Sequence, residues 1–262
     1  MNLDLTGKHA LVCGGSQGIG QASAIELAKL GADVTLLART REKLDSAVAA
    51  LPKTRADQRH GVVAVDTGDL AALQTQVAAL IAQRPVQILV NNSGGPPPGT
   101  LIGASVDAFL DAYRRHLLAN HLLAELVIPG MKATLYGRIV NIISTSVKQP
   151  IPGLGVSNTT RGAVANWAKT LATELAPFGI TVNNVLPGST HTPRIEQIID
   201  TRAQATGKSR DDIYAAMAHE VPMGRFADAS EVAAAVAFLA SPAASYITGI
   251  NVPVDGGRTS SL

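Results

Sequence analysis

Two groups of residues near the N-terminus have the types and spacing to bind a dinucleotide. Val12-Cys13-Gly14-Gly15-Ser16-Gln17-Gly18-Ile19-Gly20 follows an apolar run at Ala10-Leu11-Val12 and opens a segment of helical spacing through Leu30. That is the order strand, phosphate-binding turn, helix. Glycines at 14, 18 and 20 permit a tight turn, close approach of backbone to a pyrophosphate and close helix–strand packing, with the helix N-terminus facing the phosphates. Glycine spacing alone is a weak signal, and the second apolar strand at Asp33-Val34-Thr35-Leu36-Leu37 strengthens it. At the end of that strand stands Ala38-Arg39-Thr40-Arg41, where an acidic residue would hydrogen-bond a ribose 2′-hydroxyl. No carboxylate there repels a 2′-phosphate. Arg39 offers a planar fork matched to phosphate, and Thr40 and Arg41 are placed for further contacts. Arginines also commonly do no more than solvate a loop, but their position here favours NADP(H) over NAD(H).

The elements that must position these groups alternate in type. Apolar strand-like runs at 9–13, 33–37, 62–65, 87–91, 138–143, 180–185 and 250–254 are separated mostly by segments of helical apolar spacing. Such alternation predicts an α/β domain whose seven-stranded parallel sheet is covered on both faces. A chain of 262 residues, 46% hydrophobic and 16% charged, can bury a large core as one domain, 1–262. The net charge of +2 is spread along the chain, so the concentrated basic face of a nucleic-acid binder is not expected. No apolar stretch reaches membrane-spanning length, and Met1-Asn2-Leu3-Asp4-Leu5 lacks the regions of a signal peptide, so a cytoplasmic location is expected. Cys13 is the single cysteine, which excludes an internal disulfide and a cysteine metal cluster and leaves it a packing role. Gly94-Gly95-Pro96-Pro97-Pro98-Gly99 follows a strand end and reads as a stiff site rim, structural or substrate-limiting.

Over nearly its whole length the chain resembles the short-chain dehydrogenase/reductases, closest to their 3-oxoacyl-carrier-protein reductase branch. Beside the glycine turn, Asn91-Asn92-Ser93-Gly94 is similar to the family's Asn-Asn-Ala-Gly, and Arg138-Ile139-Val140-Asn141-Ile142-Ile143-Ser144 to its serine strand. Pro187-Gly188 and Asp255-Gly256-Gly257 complete the set in the family's order. The resemblance implies a single-domain doubly wound Rossmann fold. It also implies that Asp66 flanks the adenine, although an Asp beyond a strand is as often a turn residue. Asn92 and Gly94 then lie beside the adenosine ribose, and Gly188, Ser189, Thr190 and Thr192, after Pro187, lie near the nicotinamide amide and pyrophosphate. The region 193–223 resembles a substrate lid, and the C-terminal segment resembles the family's tetramer-forming end.

The family's catalytic set is an asparagine, a serine, a tyrosine and, four residues later, a lysine. Ser144 is retained and would hydrogen-bond the substrate oxygen. At the tyrosine position, 13 residues on, stands Ser157, followed one turn later by Arg161; the asparagine position, 28 residues before Ser144, holds His116. Trp167-Ala168-Lys169-Thr170-Leu171-Ala172 keeps the helix pattern and the register. A phenol with a pKa near 10 suits protonation of a nascent alkoxide, and a serine hydroxyl is far weaker. Arg161 could bond the nicotinamide ribose but is a poor proton carrier. Three repairs are conceivable: His116 as the acid, a water held by Ser144, Ser157 and Arg161, or a tyrosine from elsewhere, Tyr214 among them. Two functions follow: an NADPH-dependent reductase of a ketone or 3-oxoacyl-type carbonyl, expected as a homotetramer, or a non-catalytic NADP(H)-binding sensor or subunit.

Overall fold

The structure, a computed structural model, describes residues 1–261. In chain order its elements are β1 (His9–Cys13), α1 (Gly18–Lys29), β2 (Asp33–Ala38), α2 (Arg41–Ala49), β3 (Gly61–Ala64), α3 (Leu70–Gln83), β4 (Ile88–Asn91) and α4 (Val106–Tyr113). They continue as α5 (Ala119–Ala133), β5 (Gly137–Ile142), α6 (Gly155–Leu175), β6 (Ile180–Pro187), α7 (Pro193–Thr206), α8 (Arg210–His219), α9 (Ala229–Ala240) and β7 (Asn251–Val254). The strands form one parallel sheet in the order β3-β2-β1-β4-β5-β6-β7. Strand order reverses between β1 and β4. A doubly wound sheet opens its crevice there, beyond the carboxyl ends of the strands.

The near-continuous apolar runs of the sequence follow from burial on both faces. Val12, Val34, Ile88 and Val90 pack with Ala24, Leu27, Val232 and Val236 of α1 and α9. Their alternates Leu11, Leu89, Ile139 and Val182 pack with Leu73, Val77, Leu123, Val127, Ala168 and Ala172 of α3, α5 and α6. Truncating such a leucine to alanine typically costs about 2–5 kcal/mol. On the second face a row of amides interrupts the apolar pattern. Asn91 donates to Asn141 (2.8 Å), Asn141 to Asn184 (2.9 Å) and Asn184 to Asn251 (2.8 Å), one rung per strand of in-register partners. The amides bond one another along the row, which leaves Asn91 Oδ1 buried without a partner among the described residues, and the row ties β4 through β5 and β6 to β7.

Candidate active site

The glycine turn is shaped from two sides. Gly14 and Gly18 have φ of +59° and +57°, conformations that side chains disfavour, and a Cβ on Gly20 would overlap the carbonyl oxygen of Gly14. Asn92 fastens the turn from β4: its Nδ2 donates to the carbonyl oxygens of Cys13 (3.3 Å) and Gly14 (3.4 Å), and a Cβ on Gly14 would meet that nitrogen at 2.5 Å. Asn92 therefore shapes the phosphate turn, a contact its motif did not disclose. Gln17 ends the loop without capping α1 through its side chain, so the first amides of the helix are left for an anion. Cys13 is buried with its thiol pushed up to about 12 by desolvation, which fits packing and not reactivity.

From this turn a cavity of about 660 Å³ runs along the carboxyl edge of the sheet. At one end it is lined by Arg39, Thr40 and Lys43, with Asp66 and Thr67 beyond β3. Arg39 is exposed and has no carboxylate partner among the described residues. Arg41, expected as a further phosphate contact, instead turns to Asp45 one helical turn on (2.9 Å) and does not line the cavity. Lys43, two residues along α2, takes that place, and its i+2 spacing from Arg41 was the available signal. Asp66 serves both as turn and as wall. Its Oδ1 accepts from the Gly68 amide (2.8 Å) and from Arg115 (2.8 Å), whose guanidinium also grips Asp111. Arg115 lines the cavity and nothing in the sequence had singled it out.

The other end holds Ser144, Ser157, His116 and Arg161, which the fold brings together from β5, α6 and the turn after α4. Ser144 is half-buried, and its Oγ accepts from the Ser146 amide (3.1 Å), which leaves its own proton free for a substrate oxygen. Ser157 lies in the first turn of α6, and Arg161 one turn deeper is buried, 7% exposed. Its guanidinium donates to the carbonyl oxygens of Ser93 (3.2 Å) and Ile142 (3.5 Å), and desolvation lowers its pKa to about 10.

His116 sits in a single π-helical turn, Arg114–Leu118, that inserts between α4 and α5. Its Nδ1 lies 2.5 Å from Ser93 Oγ. Burial, then the charges of Arg161 and Arg115, push its pKa down to about 3, so at neutral pH the ring is an uncharged hydrogen-bonding group and holds no imidazolium proton to give. The expectation of His116 as an acid of ordinary pKa is thereby revised: the imidazole props Ser93, the residue that carries one of the two oxygens on Arg161. None of the four tyrosines lines the cavity. Tyr136 donates to Ala240 (2.6 Å), and Tyr214 packs with His191 and Phe226, ring centroids 5.9 and 4.6 Å away. A phenol from elsewhere in the chain is therefore not supplied.

Across the cavity, Gly188 is required by what backs it: a Cβ there would lie 2.7 Å from the Cβ of Asp255, whose carboxylate accepts from the amides of Gly257 (3.1 Å) and Thr259 (2.8 Å). The Pro187-Gly188 and Asp255-Gly256-Gly257 motifs are thus two sides of one contact. Thr190 is buried with its hydroxyl on Gly188 O (3.1 Å), and Thr192 lies against Gly18 of the glycine turn. Helices α7 and α8 cover this side with a small apolar core of Ile195, Ile199, Ile213, Met217 and Phe226. Arg194 of α7 reaches to Pro96 O (3.0 Å).

A crevice at the switch point of a parallel sheet, a glycine turn with free helix amides and two cations in place of the ribose-binding acid fit NADP(H), which defines the class as a Rossmann-type nicotinamide oxidoreductase. The family model described as enoyl-(acyl carrier protein) reductase matches residues 14–259. The 3-oxoacyl-[acyl-carrier-protein] reductase of Pseudomonas aeruginosa is 31% identical over 97% of this chain and 98% of its own, and the L-xylulose reductase of Mesocricetus auratus 32% over 98% of each. The structure of L-sorbose reductase from Gluconobacter frateurii complexed with NADPH and L-sorbose superposes with a TM-score of 0.93 at 32% identity, covering 100% of both chains. The chain belongs to the short-chain dehydrogenase/reductase family, in its 3-oxoacyl-carrier-protein reductase branch.

Proposed function

We propose that the protein is an NADPH-dependent reductase of a ketone or 3-oxoacyl-type carbonyl that works with an altered catalytic set of Ser144, Ser157, Arg161 and His116. The observation that carries this reading is Ser144, which lines the same cavity as the glycine turn and Arg39 and whose hydroxyl, accepting from the Ser146 amide, keeps its O–H available to donate. Bound NADPH supplies the hydride. Arg39, Thr40 and Lys43 hold the 2′-phosphate, the α1 amides from Gly18 to Gly20 with Ser16 and Gln17 hold the pyrophosphate, and Asp66 and Gly94 flank the adenosine. Pro187, Gly188, Thr190 and Thr192 bound the nicotinamide side. Ser144 donates to the substrate oxygen, and Arg161 bonds the nicotinamide ribose and lends positive charge to the developing alkoxide. The proton comes from water held by Ser144, Ser157 and Arg161, since the neutral His116 has no imidazolium proton to give. Residues 193–223 act as the substrate lid. The working form is a cytoplasmic homotetramer paired through its long helices and C-terminal segment, which light scattering tests: a concentration-independent monomer refutes it.

Ser144→Ala is expected to lower single-turnover hydride transfer from NADPH at least about tenfold, the scale of one transition-state hydrogen bond. Ser157→Tyr with Arg161→Lys restores an acid of suitable pKa beside a relay and raises the rate more than either change alone. Unchanged transfer in Ser144→Ala overturns the assignment. The absence of any tyrosine among the lining residues favours the second reading, a non-catalytic NADP(H)-binding sensor or subunit, and no turnover in any variant with NADPH binding intact would favour it further.

A further inference from the structure

Two guanidinium groups at the catalytic end lack a counter-ion. Arg161 is buried and bonds only carbonyl oxygens, and Arg194, half-buried in the first turn of α7, spends one N–H on Pro96 O. Neither has a carboxylate within ion-pairing distance among the described residues. Other arginines do have one: outside the cavity Arg41 pairs with Asp45, Arg55 with Asp57, Arg84 with Asp33, Arg210 with Glu196, Arg225 with Glu231 and Arg258 with Glu220. The two lining carboxylates, Asp66 and Asp111, are both held by Arg115.

Arg161 and Arg194 also converge. One grips the backbone at Ser93 and the other at Pro96, and a Cβ on Gly95 between them would lie 3.8 Å from Arg161 Nη2. Two cations thus approach one four-residue loop from α6 and α7, on the wall the cavity shares with Ser144 and Ser157. A desolvated guanidinium without a partner opposes folding, and that penalty is relieved when an anion enters beside it. The phosphates of the cofactor have their own holders in the α1 amides and the Arg39–Lys43 rim, so the unmatched charge at this end is left for the other reactant.

We propose that the substrate is an oxo acid, its carboxylate held by Arg194 in the field of Arg161 while its carbonyl oxygen meets Ser144. The inference rests on the reductase reading for the carbonyl and adds the acid group and the residue that selects it. Replacement of the family tyrosine by Ser157 belongs to the same arrangement: a side chain of two heavy atoms leaves room beside Ser144 that a phenol would fill.

The test separates binding from turnover. Protein saturated with NADP⁺ is titrated calorimetrically with 2-oxobutanoate, 3-oxobutanoate and 4-oxopentanoate and with the methyl ester of each. At least one acid should bind tenfold or more tightly than its ester; Arg194→Gln should abolish that preference and Arg194→Lys should keep most of it. In NADPH turnover, Arg194→Gln should raise KM for the acid tenfold or more with kcat within about twofold, and leave KM for the ester unchanged. Equal binding of acids and esters, or binding of neither, overturns the proposal. So does a tenfold loss of NADPH affinity in Arg194→Gln, which would assign the guanidinium to the cofactor's diphosphate. Acid-selective binding without turnover supports the anion site while refuting the reductase reading, so the two fail separately.

Discussion

Arg161→Met should stabilise the unliganded protein while removing its activity. Desolvation alone lowers the Arg161 pKa from 12.5 to about 10, and at about 1.36 kcal/mol per unit that is a penalty of roughly 3 kcal/mol on the charged form. Against it stand two hydrogen bonds to carbonyl oxygens, at 3.2 and 3.5 Å, together worth about 1–2 kcal/mol. Methionine keeps much of the apolar stem in place, so little packing is lost. The balance is a gain of about 1–2 kcal/mol in the unliganded protein. Urea unfolding at pH 7, followed by far-UV circular dichroism with and without saturating NADP⁺, reads it. Without cofactor the variant should unfold at higher urea than the wild type; with NADP⁺ the order should narrow or reverse, because the wild type gains binding energy that the variant has lost. Hydride transfer should fall in parallel. A variant less stable than the wild type by more than about 1 kcal/mol without cofactor would refute the reasoning, since the guanidinium would then be a net stabiliser of the empty fold.

Two further outcomes follow from the same geometry. Arg39→Ala should weaken NADPH by about 1–3 kcal/mol while leaving NADH unchanged in calorimetric titration, as the loss of a charge-assisted hydrogen bond to a 2′-phosphate requires; equal weakening of both would remove that assignment. Acidification should destabilise the fold through buried imidazoles: burial pushes His9 down from 6.5 to about 4 and His116 to about 3. The unfolded chain then binds protons as pH drops below 6.5 while the folded chain does not, so stability present at neutral pH is lost between about pH 6.5 and 4 for His9 and down to about pH 3 for His116. At pH 4.5 the loss is about 2–3 kcal/mol for each histidine, and His9→Gln should flatten the slope of the urea midpoint against pH; an unchanged slope would be contrary.

The sheet was legible because its inner strands, β2, β1, β4, β5 and β6, are buried on both faces and so spell apolar runs. Expected runs at 33–37 and 180–185 became Asp33–Ala38 and Ile180–Pro187, and the apolar run over 9–13 matched residue for residue. The glycine turn was legible for a similar reason: the constraint at Gly14 and Gly18 is local, set by backbone conformation alone. What escaped reading is the set of contacts between segments distant in the chain. Arg41 and Lys43 have the same charge and lie two residues apart, yet Asp45 captures the first and the cavity takes the second. Arg115 and Arg194 stand in helices with no motif around them, and only the fold shows that they reach Asp66 and Pro96. The altered catalytic set gains most from the third dimension. In sequence Ser93, His116 and Arg161 are three separate departures from the family pattern, each readable as a decayed position. In the fold Ser93 Oγ touches His116 Nδ1 and Ser93 O accepts from Arg161. The π-helical turn that carries His116 also carries Arg115 to Asp66, so one irregular turn joins the Asp66 end of the cavity to the Ser144 end. Positions that merely decay have no reason to rebuild a hydrogen-bonded chain around a buried cation, so the three departures are better understood as one substitution of a network than as three losses.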